Sequence, residues 1–159
     1  MKTTIEKVKL NGEKLSIAFT RTHKGTTESG EIVSEEGPRP EMIMAFDELV
    51  PYVVSICELP SDYIAEMKVT GISIHDTEGV MGVVISATKK LNNSRRPFVI
   101  NTPYKLEFDA NGQATSMHLS VECVRSIRKV VMEAEKFMKG SRAQKDLFEE
   151  EKELKTRKN

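Results

Sequence analysis

The sequence predicts an α+β fold in which a unit of antiparallel strands followed by a helix occurs twice, with the helices packed on one face of the sheet. Alternating apolar residues flank Asn11-Gly12, and Asn-Gly between such runs is the strongest short-range signal for a β-hairpin. A similar order of strands, polar loop, proline break and helix recurs roughly 65 residues later. The length of 159 residues, 38% of them hydrophobic, fits one such domain.

The first unit covers residues 4–60. Its predicted elements are strands near 4–10 and 14–21, a long polar loop over 22–30, a short strand at Ile32-Val33, a break at 37–40 and a helix from Asp47 to Leu59. Asp47 is a suitable helix cap, and Pro51 would fall in the first turn, where no intrahelical N–H partner is needed. Apolar residues surround most of this helix, so we expect a second helix or a partner subunit to cover it.

The second unit covers residues 64–139 and repeats this order. Its predicted elements are strands at 67–74 and 80–88, a turn at 76–79, a basic loop at 89–97, a short strand at 98–100, a fourth strand around Leu106 and Phe108, and a helix over 117–138 closed by Gly140. The chain therefore reads as one domain over residues 1–140, made of two pseudo-repeats, with a charged C-terminal tail over 141–159. The tail is either solvated or a partner-docking segment anchored by Leu147 and Phe148.

Few residues of the sequence suit catalysis. Cys57 and Cys123 lie in apolar stretches and are expected to be buried thiols, and no CxxC pair is present. His75-Asp76 resembles half of a metal-dependent phosphohydrolase signature, but a surface turn is the favoured interpretation. Phosphate-binding glycine loops and nucleophile elbows are also absent from the sequence. We therefore predict a protein that is not an enzyme and has neither a cofactor nor a metal site.

The charges of the chain cancel overall but not locally. There are 24 basic and 24 acidic residues, which excludes a uniformly basic or acidic protein. Residues 41–80 carry one basic and eight acidic residues, whereas residues 81–110 carry five basic and two acidic ones. The basic loop over 89–97, with two aromatic residues close to it in sequence, is thus the most informative local feature.

Cations for phosphates and aromatic rings for bases are what binding of single-stranded nucleic acid requires. The candidate phosphate contacts are Lys89, Lys90, Arg95, Arg96, Arg21 and Lys24, and the candidate stacking residues are Phe98 and Tyr104. The last two phosphate candidates come from the loop of the first unit that corresponds to the basic loop. A solvated loop whose charges serve solubility alone is the competing interpretation.

The repeated unit over residues 4–139 resembles, in its topology, the PC4, PUR and whirly group of proteins. In size and style the whole chain is similar to small phage and prophage proteins. The resemblance implies duplicated or dimerised sheets backed by helices that bind single-stranded DNA or RNA. It therefore implies a non-enzymatic, oligomeric nucleic-acid-binding protein.

Two other functions are left open by the sequence. The same basic loops could surround a nucleotide-like small ligand, as in a ligand sponge or an inhibitor of a host enzyme. Alternatively, the apolar first helix and the charged tail could serve a structural or assembly adaptor. The longest mostly apolar run is too short to span a membrane and no signal peptide is evident, so we expect a cytoplasmic location with no membrane partner.

Overall fold

The computed structural model describes residues 2–140, which form an antiparallel sheet and three α-helices. The strands are β1 (Lys2–Asn11), β2 (Lys14–His23), β3 (Thr26–Ser34), β4 (Met67–Thr77), β5 (Val80–Lys89), β6 (Phe98–Asn101) and β7 (Lys105–Leu106). The helices are α1 (Pro40–Asp47), α2 (Val50–Ile56) and α3 (Val121–Met138), with a 3-10 helix over Ser61–Glu66. The predicted α+β class is confirmed. The tail over 141–159, with Leu147 and Phe148, lies outside the described residues.

The order of the strands is β3-β2-β1-β4-β5-β6, with β7 also paired to β5. Strand β1 is antiparallel to both β2 and β4, so β2 and β4 run in the same direction. The β2–β3 turn therefore lies at the end of the sheet where β4 finishes. The loop over 90–97 follows β5, which runs against β4, and so lies at the opposite end.

The predicted polar loop over 22–30 is wrong. Strand β2 continues to His23, and β3 begins three residues later. The chain reverses through Lys24 and Gly25, whose positive φ angles of 48° and 81° suit a tight two-residue hairpin turn. Because β3 is an edge strand with many exposed positions, it carries threonines, serines and glutamates without an apolar pattern, and alternation could not reveal it.

The predicted first helix is also corrected. Pro40 occupies the first turn of α1, and Asp47 ends this helix instead of capping the next one. The ring of Pro51 clashes with a helical carbonyl four residues earlier, which is that of Asp47. The chain therefore breaks and restarts as α2 over Val50–Ile56.

The second half differs less from its prediction. Helix α3 begins at Val121 rather than at 117, because the Ser120 hydroxyl accepts a hydrogen bond from Cys123 N at 3.1 Å and caps the helix. The predicted fourth strand is reduced to the two residues of β7 and does not include Phe108. At Gly140, a φ of 104° allows the chain to leave the helix as predicted.

One face of the sheet carries the core, and we call it the buried face. Side chains from four neighbouring strands meet across it in register: Val8, Ile17, Ile72 and Ile85. All four are at most 2% exposed, and they belong to a cluster that also includes Phe46 of α1 and Phe137 of α3. Burial of this continuous apolar surface is the main favourable contribution to folding.

The opposite face of the sheet, which we call the open face, is polar. The side chains that alternate with the core residues belong to it: Lys7, Lys9, Ser16, Ala18, Lys68, Ser73, His75, Val84, Ser86 and Thr88. None of them belongs to the core cluster. This face carries the sheet's solvent-facing chemistry. Within residues 2–140, no helix is both long and apolar enough to cross a membrane.

Candidate nucleic-acid interface

Three lysines mark the centre and one end of the open face. Lys9 is paired with Gly71 and Lys7 with Ser73, so both stand at the junction of β1 and β4, while Lys68 lies near the start of β4. All three are exposed, and none forms an ion pair with a described carboxylate. Their positive charges are therefore available to an anion in solution.

The basic loop continues this charge beyond the edge of the strands. A pocket of about 450 Å³ lies between the loop over 90–97 and the open face. The residues that line it are Glu66, Lys68, Thr88, Lys90, Leu91, Ser94, Arg95 and Pro97. Because Lys68 and Thr88 belong to the open face, the predicted cations Lys90 and Arg95 extend the lysine surface. We call the surface formed by Lys7, Lys9, Lys68, Lys90 and Arg95 the basic track. The predicted contact Arg96 is exposed in the same loop but does not line the pocket.

Because side chains alternate between the two faces along β5, Lys89 lies on the side of the buried face, away from that track. Its ammonium lies 3.0 Å from the Glu66 carboxylate and 4.6 Å from the centre of the Tyr63 ring, and its side chain is 15% exposed. Its charge is thus already balanced by a carboxylate and an aromatic face. This predicted phosphate contact makes intramolecular contacts instead of joining its neighbour Lys90 on the track.

The structure places Arg21 and Lys24 far from the other candidates. Both lie at the end of the sheet with the β2–β3 turn, opposite the loop over 90–97. Arg21 points to the side of the core, where its guanidinium carbon stacks 4.5 Å from the centre of the Phe19 ring. Lys24 is exposed at the tip of the turn. Arg21 and Lys24 therefore do not share a continuous surface with the basic loop.

The two predicted stacking residues lie on opposite faces. Phe98 is paired with Lys89 and shares its side of the sheet, with 56% of the residue exposed. Tyr104 lies against the open face at Gly82, where an added Cβ would collide with the Tyr104 ring. The absence of a side chain at Gly82 thus lets the ring approach the sheet, while Tyr104 stays 48% exposed.

His75 stands beside Tyr104 on the open face. The centres of the two rings are 6.4 Å apart, and their planes meet at 65° in an edge-to-face arrangement. His75 and Asp76 belong to β4, and the turn itself consists of Glu78 and Gly79, with Asp76 Oδ1 accepting a hydrogen bond from Gly79 N at 2.9 Å. The predicted surface turn is therefore confirmed in part, since it is shorter than expected. In residues 2–140 no three His, Cys, Asp or Glu side chains are grouped to hold a metal ion.

Strands β1 and β4 separate from Lys7 towards the start of β1. Their pairing is confined to Lys7–Lys9 and Gly71–Ser73, and a cleft of about 930 Å³ opens past it, lined in part by α3. The charged and titratable residues around the cleft are Lys2, Glu6, His75, Asp76, Glu107, Arg128 and Glu135. Arg128 is paired with Glu107 at 3.0 Å. The excess of carboxylates makes this cleft a poor site for a polyanion and limits the basic track at this end.

The two thiols are not placed for nucleophilic chemistry. Cys123 is 1% exposed in the core, and burial raises the pKa of its thiol to about 11, although the charge of Lys105 acts in the opposite direction. Burial also raises the pKa of Cys57, which is partly buried. A raised pKa leaves the unreactive thiol as the main form at neutral pH. The prediction of buried thiols is therefore confirmed for Cys123 and holds in part for Cys57.

Three residues of the track, Lys7, Lys9 and Lys68, were not among the predicted contacts. Each neighbours a buried apolar residue of its strand, so strict alternation assigns it to the polar face. This signal becomes informative once the other face is known to carry the core.

No family model, curated protein or solved structure matches this chain.

Proposed function

We propose that this protein binds single-stranded DNA or RNA, without catalysing a reaction, along the basic track on the open face of its sheet. The observation that carries the proposal is that Lys7, Lys9 and Lys68 form no ion pair with a carboxylate of residues 2–140, on a face that also presents Tyr104. The lysines and Arg95 contact phosphates, and the exposed side of the Tyr104 ring stacks on a base. Stacking of this kind favours a single strand, since the bases of a duplex already stack on one another.

The arrangement of the helices supports the use of this face. We infer that all three helices lie against the buried face, because their buried residues join the same core cluster as the strand residues of that face. Strand side chains on the open side remain exposed or half-buried. A long, flexible ligand can therefore cross several strands there without displacing an element of the fold.

We infer as well that the two halves, 4–60 and 64–139, derive from one duplicated unit. The strand order is symmetric about the pair β1–β4, and each half follows its hairpin with a third strand and then a helix. The turn with Lys24 and the loop with Lys90 occupy equivalent places at opposite ends of the sheet. The equivalent loops thus differ in charge and length, and the binding chemistry belongs to the second.

A fluorescence-anisotropy titration with a labelled oligothymidylate tests the proposal. We expect the triple variant Lys7→Ala, Lys9→Ala, Lys68→Ala to lower the affinity at low salt by about an order of magnitude or more. The matched control removes three positive charges from α3 and its C-cap, at Arg125, Lys129 and Lys139, and is expected to bind like the unmodified protein. Absence of binding by the unmodified protein, or equal losses in both triple variants, would contradict the proposal.

A second candidate rests on the pocket of about 450 Å³ beside Lys68, Lys90 and Arg95. Three cations around a concave site suit the phosphate group of a nucleotide-like small ligand. A thermal-shift measurement with mononucleotides and oligonucleotides distinguishes the two functions. A shift with mononucleotides and none with oligonucleotides would favour the small ligand.

A further inference from the structure

Within residues 2–140, no strand pairs with the outer side of β3 or of β6, and these two edges of the sheet differ in charge. Strand β3 pairs with β2 along its whole length without a bulge, and it contains neither proline nor lysine, which commonly protect edge strands from pairing. It carries Glu28 and Glu31 and is followed directly by Glu35. At the other side of the sheet, β6 is preceded by Pro97, and Arg95 and Arg96 come just before that proline.

The directions of these strands allow them to pair between copies. Strand β6 runs with β4, and β3 runs against it, as the succession of antiparallel pairs requires. If a second copy is displaced along the sheet without being turned over, its β3 therefore lies antiparallel to β6 of the first copy. Every strand pair within the sheet has that geometry, and the open faces of both copies stay on the same side.

Free backbone groups are available on β6 for such pairing. Thr102 N donates a hydrogen bond to Ile85 O at 2.9 Å, so the backbone of Thr102 faces β5. Backbone N–H and C=O groups alternate in direction along a strand, so those of Val99 and Asn101 point away from β5. The register that sets Val99 opposite Val33 also sets Ile100 opposite Ile32, so that side chains of matching faces meet. Val99 is 62% and Val33 52% exposed in the single chain.

The same register accounts for the opposite charges at the two edges of the sheet. Because the strands are antiparallel, the start of β6 lies beside the end of β3. The register sets Glu35 opposite Pro97, so that Arg96 is one position away from Glu35 and Arg95 two. Pairing of β3 with β3 would instead bring together edges that both carry glutamates, and pairing of β6 with β6 would leave the acidic edges unused. Opposite charges across an interface favour the matching partner and disfavour the others.

From these observations we propose that a second copy of this chain is the partner of each sheet edge, with β6 of one copy adding to β3 of the next. The contact joins two different surfaces, so a joined pair keeps one free β3 edge and one free β6 edge, and the assembly extends or closes into a ring. The paired segment comprises only the four residues of β6. The contact is therefore small, and association depends on protein concentration. The proposal does not depend on nucleic-acid binding.

Charge reversal tests the contact by sedimentation velocity at low salt, without nucleic acid. We expect Arg96→Glu and Glu35→Lys each to reduce self-association, because each sets like charges against one another. A mixture of the two variants restores association, since Glu at position 96 of one meets Lys at position 35 of the other, and the remaining native pair also meets. Val99→Lys, which places a charge on the edge, is expected to block assembly both alone and in the mixture.

Several outcomes would overturn this inference. They are a monomer at all concentrations in the unmodified protein, an association unaffected by Glu35→Lys, and a mixture that associates no better than its components. A closed dimer sensitive to Arg96→Glu but not to Glu35→Lys would assign the contact to β6 of both copies. Circular dichroism of each variant establishes that it is folded.

Discussion

At the scale of single residues, the position of a side chain on the sheet decides what it can bind. Tyr104 and Phe98 are both exposed aromatic residues beside the basic loop in sequence, yet they lie on opposite faces: Phe98 belongs to β6, whereas Tyr104 lies between β6 and β7 and packs against Gly82. Lys89 and Lys90 are neighbours in sequence, but a carboxylate neutralises the first while the second lines the pocket. Adjacent positions therefore have different environments, which composition alone could not distinguish.

This difference gives a prediction for the aromatic residues. Tyr104→Ala should weaken binding of oligothymidylate by roughly 1–3 kcal/mol, which is about 5- to 150-fold, because a stacked base loses its platform. Phe98→Ala should leave the affinity unchanged under conditions in which the protein is monomeric. Anisotropy titrations of both variants measure the two values. A larger loss for Phe98→Ala than for Tyr104→Ala would place the bound strand on the other face.

At the scale of elements, the strands with a clear apolar alternation were predicted well from the sequence. β1, β2, β4 and β5 were found within a few residues, because each buries one face and its pattern records that burial. β3 was missed over most of its length, since an edge strand is stabilised by backbone pairing that leaves little trace in side-chain polarity. Pro51 was assigned to a first turn correctly, but its clash with the preceding helix was not foreseen.

The candidate site was predicted less completely than the fold. The basic loop over 90–97 was identified because its charges are consecutive in sequence. The lysines of the open face come from strands that are distant in sequence, and the order β1-β4 brings them together. That order depends on long-range pairing, which local pattern does not contain.

Helix α3 offers a prediction at this scale. Ser120→Ala removes the hydroxyl that accepts a hydrogen bond from Cys123 N, so the free energy of unfolding should fall by about 1 kcal/mol. Urea denaturation followed by circular dichroism measures the change. Ser120→Asp, which can accept the same bond and places a negative charge at the helix N-terminus, should retain most of the stability. Equal losses in both variants would show that the cap contributes little.

At the scale of the whole molecule, a net charge of zero conceals two surfaces of opposite character. The carboxylate-rich cleft between β1 and β4 borders the basic track, and the two edges of the sheet differ in the same way. An anionic ligand is therefore directed to one part of the open face, while unlike edges favour contact between copies. Copies joined through their edges would align their tracks on one side, a geometry suited to cooperative binding along a strand.

The most direct test of nucleic-acid binding by the open face is the salt dependence of oligothymidylate affinity. Each phosphate contact on a single strand contributes a slope of about −0.7 to the logarithm of the binding constant against the logarithm of the salt concentration. If Lys7, Lys9 and Lys68 each contact one phosphate, their joint replacement by alanine should reduce the magnitude of the slope by about 2. An unchanged slope in this variant, with the protein still folded, would contradict the assignment of the basic track.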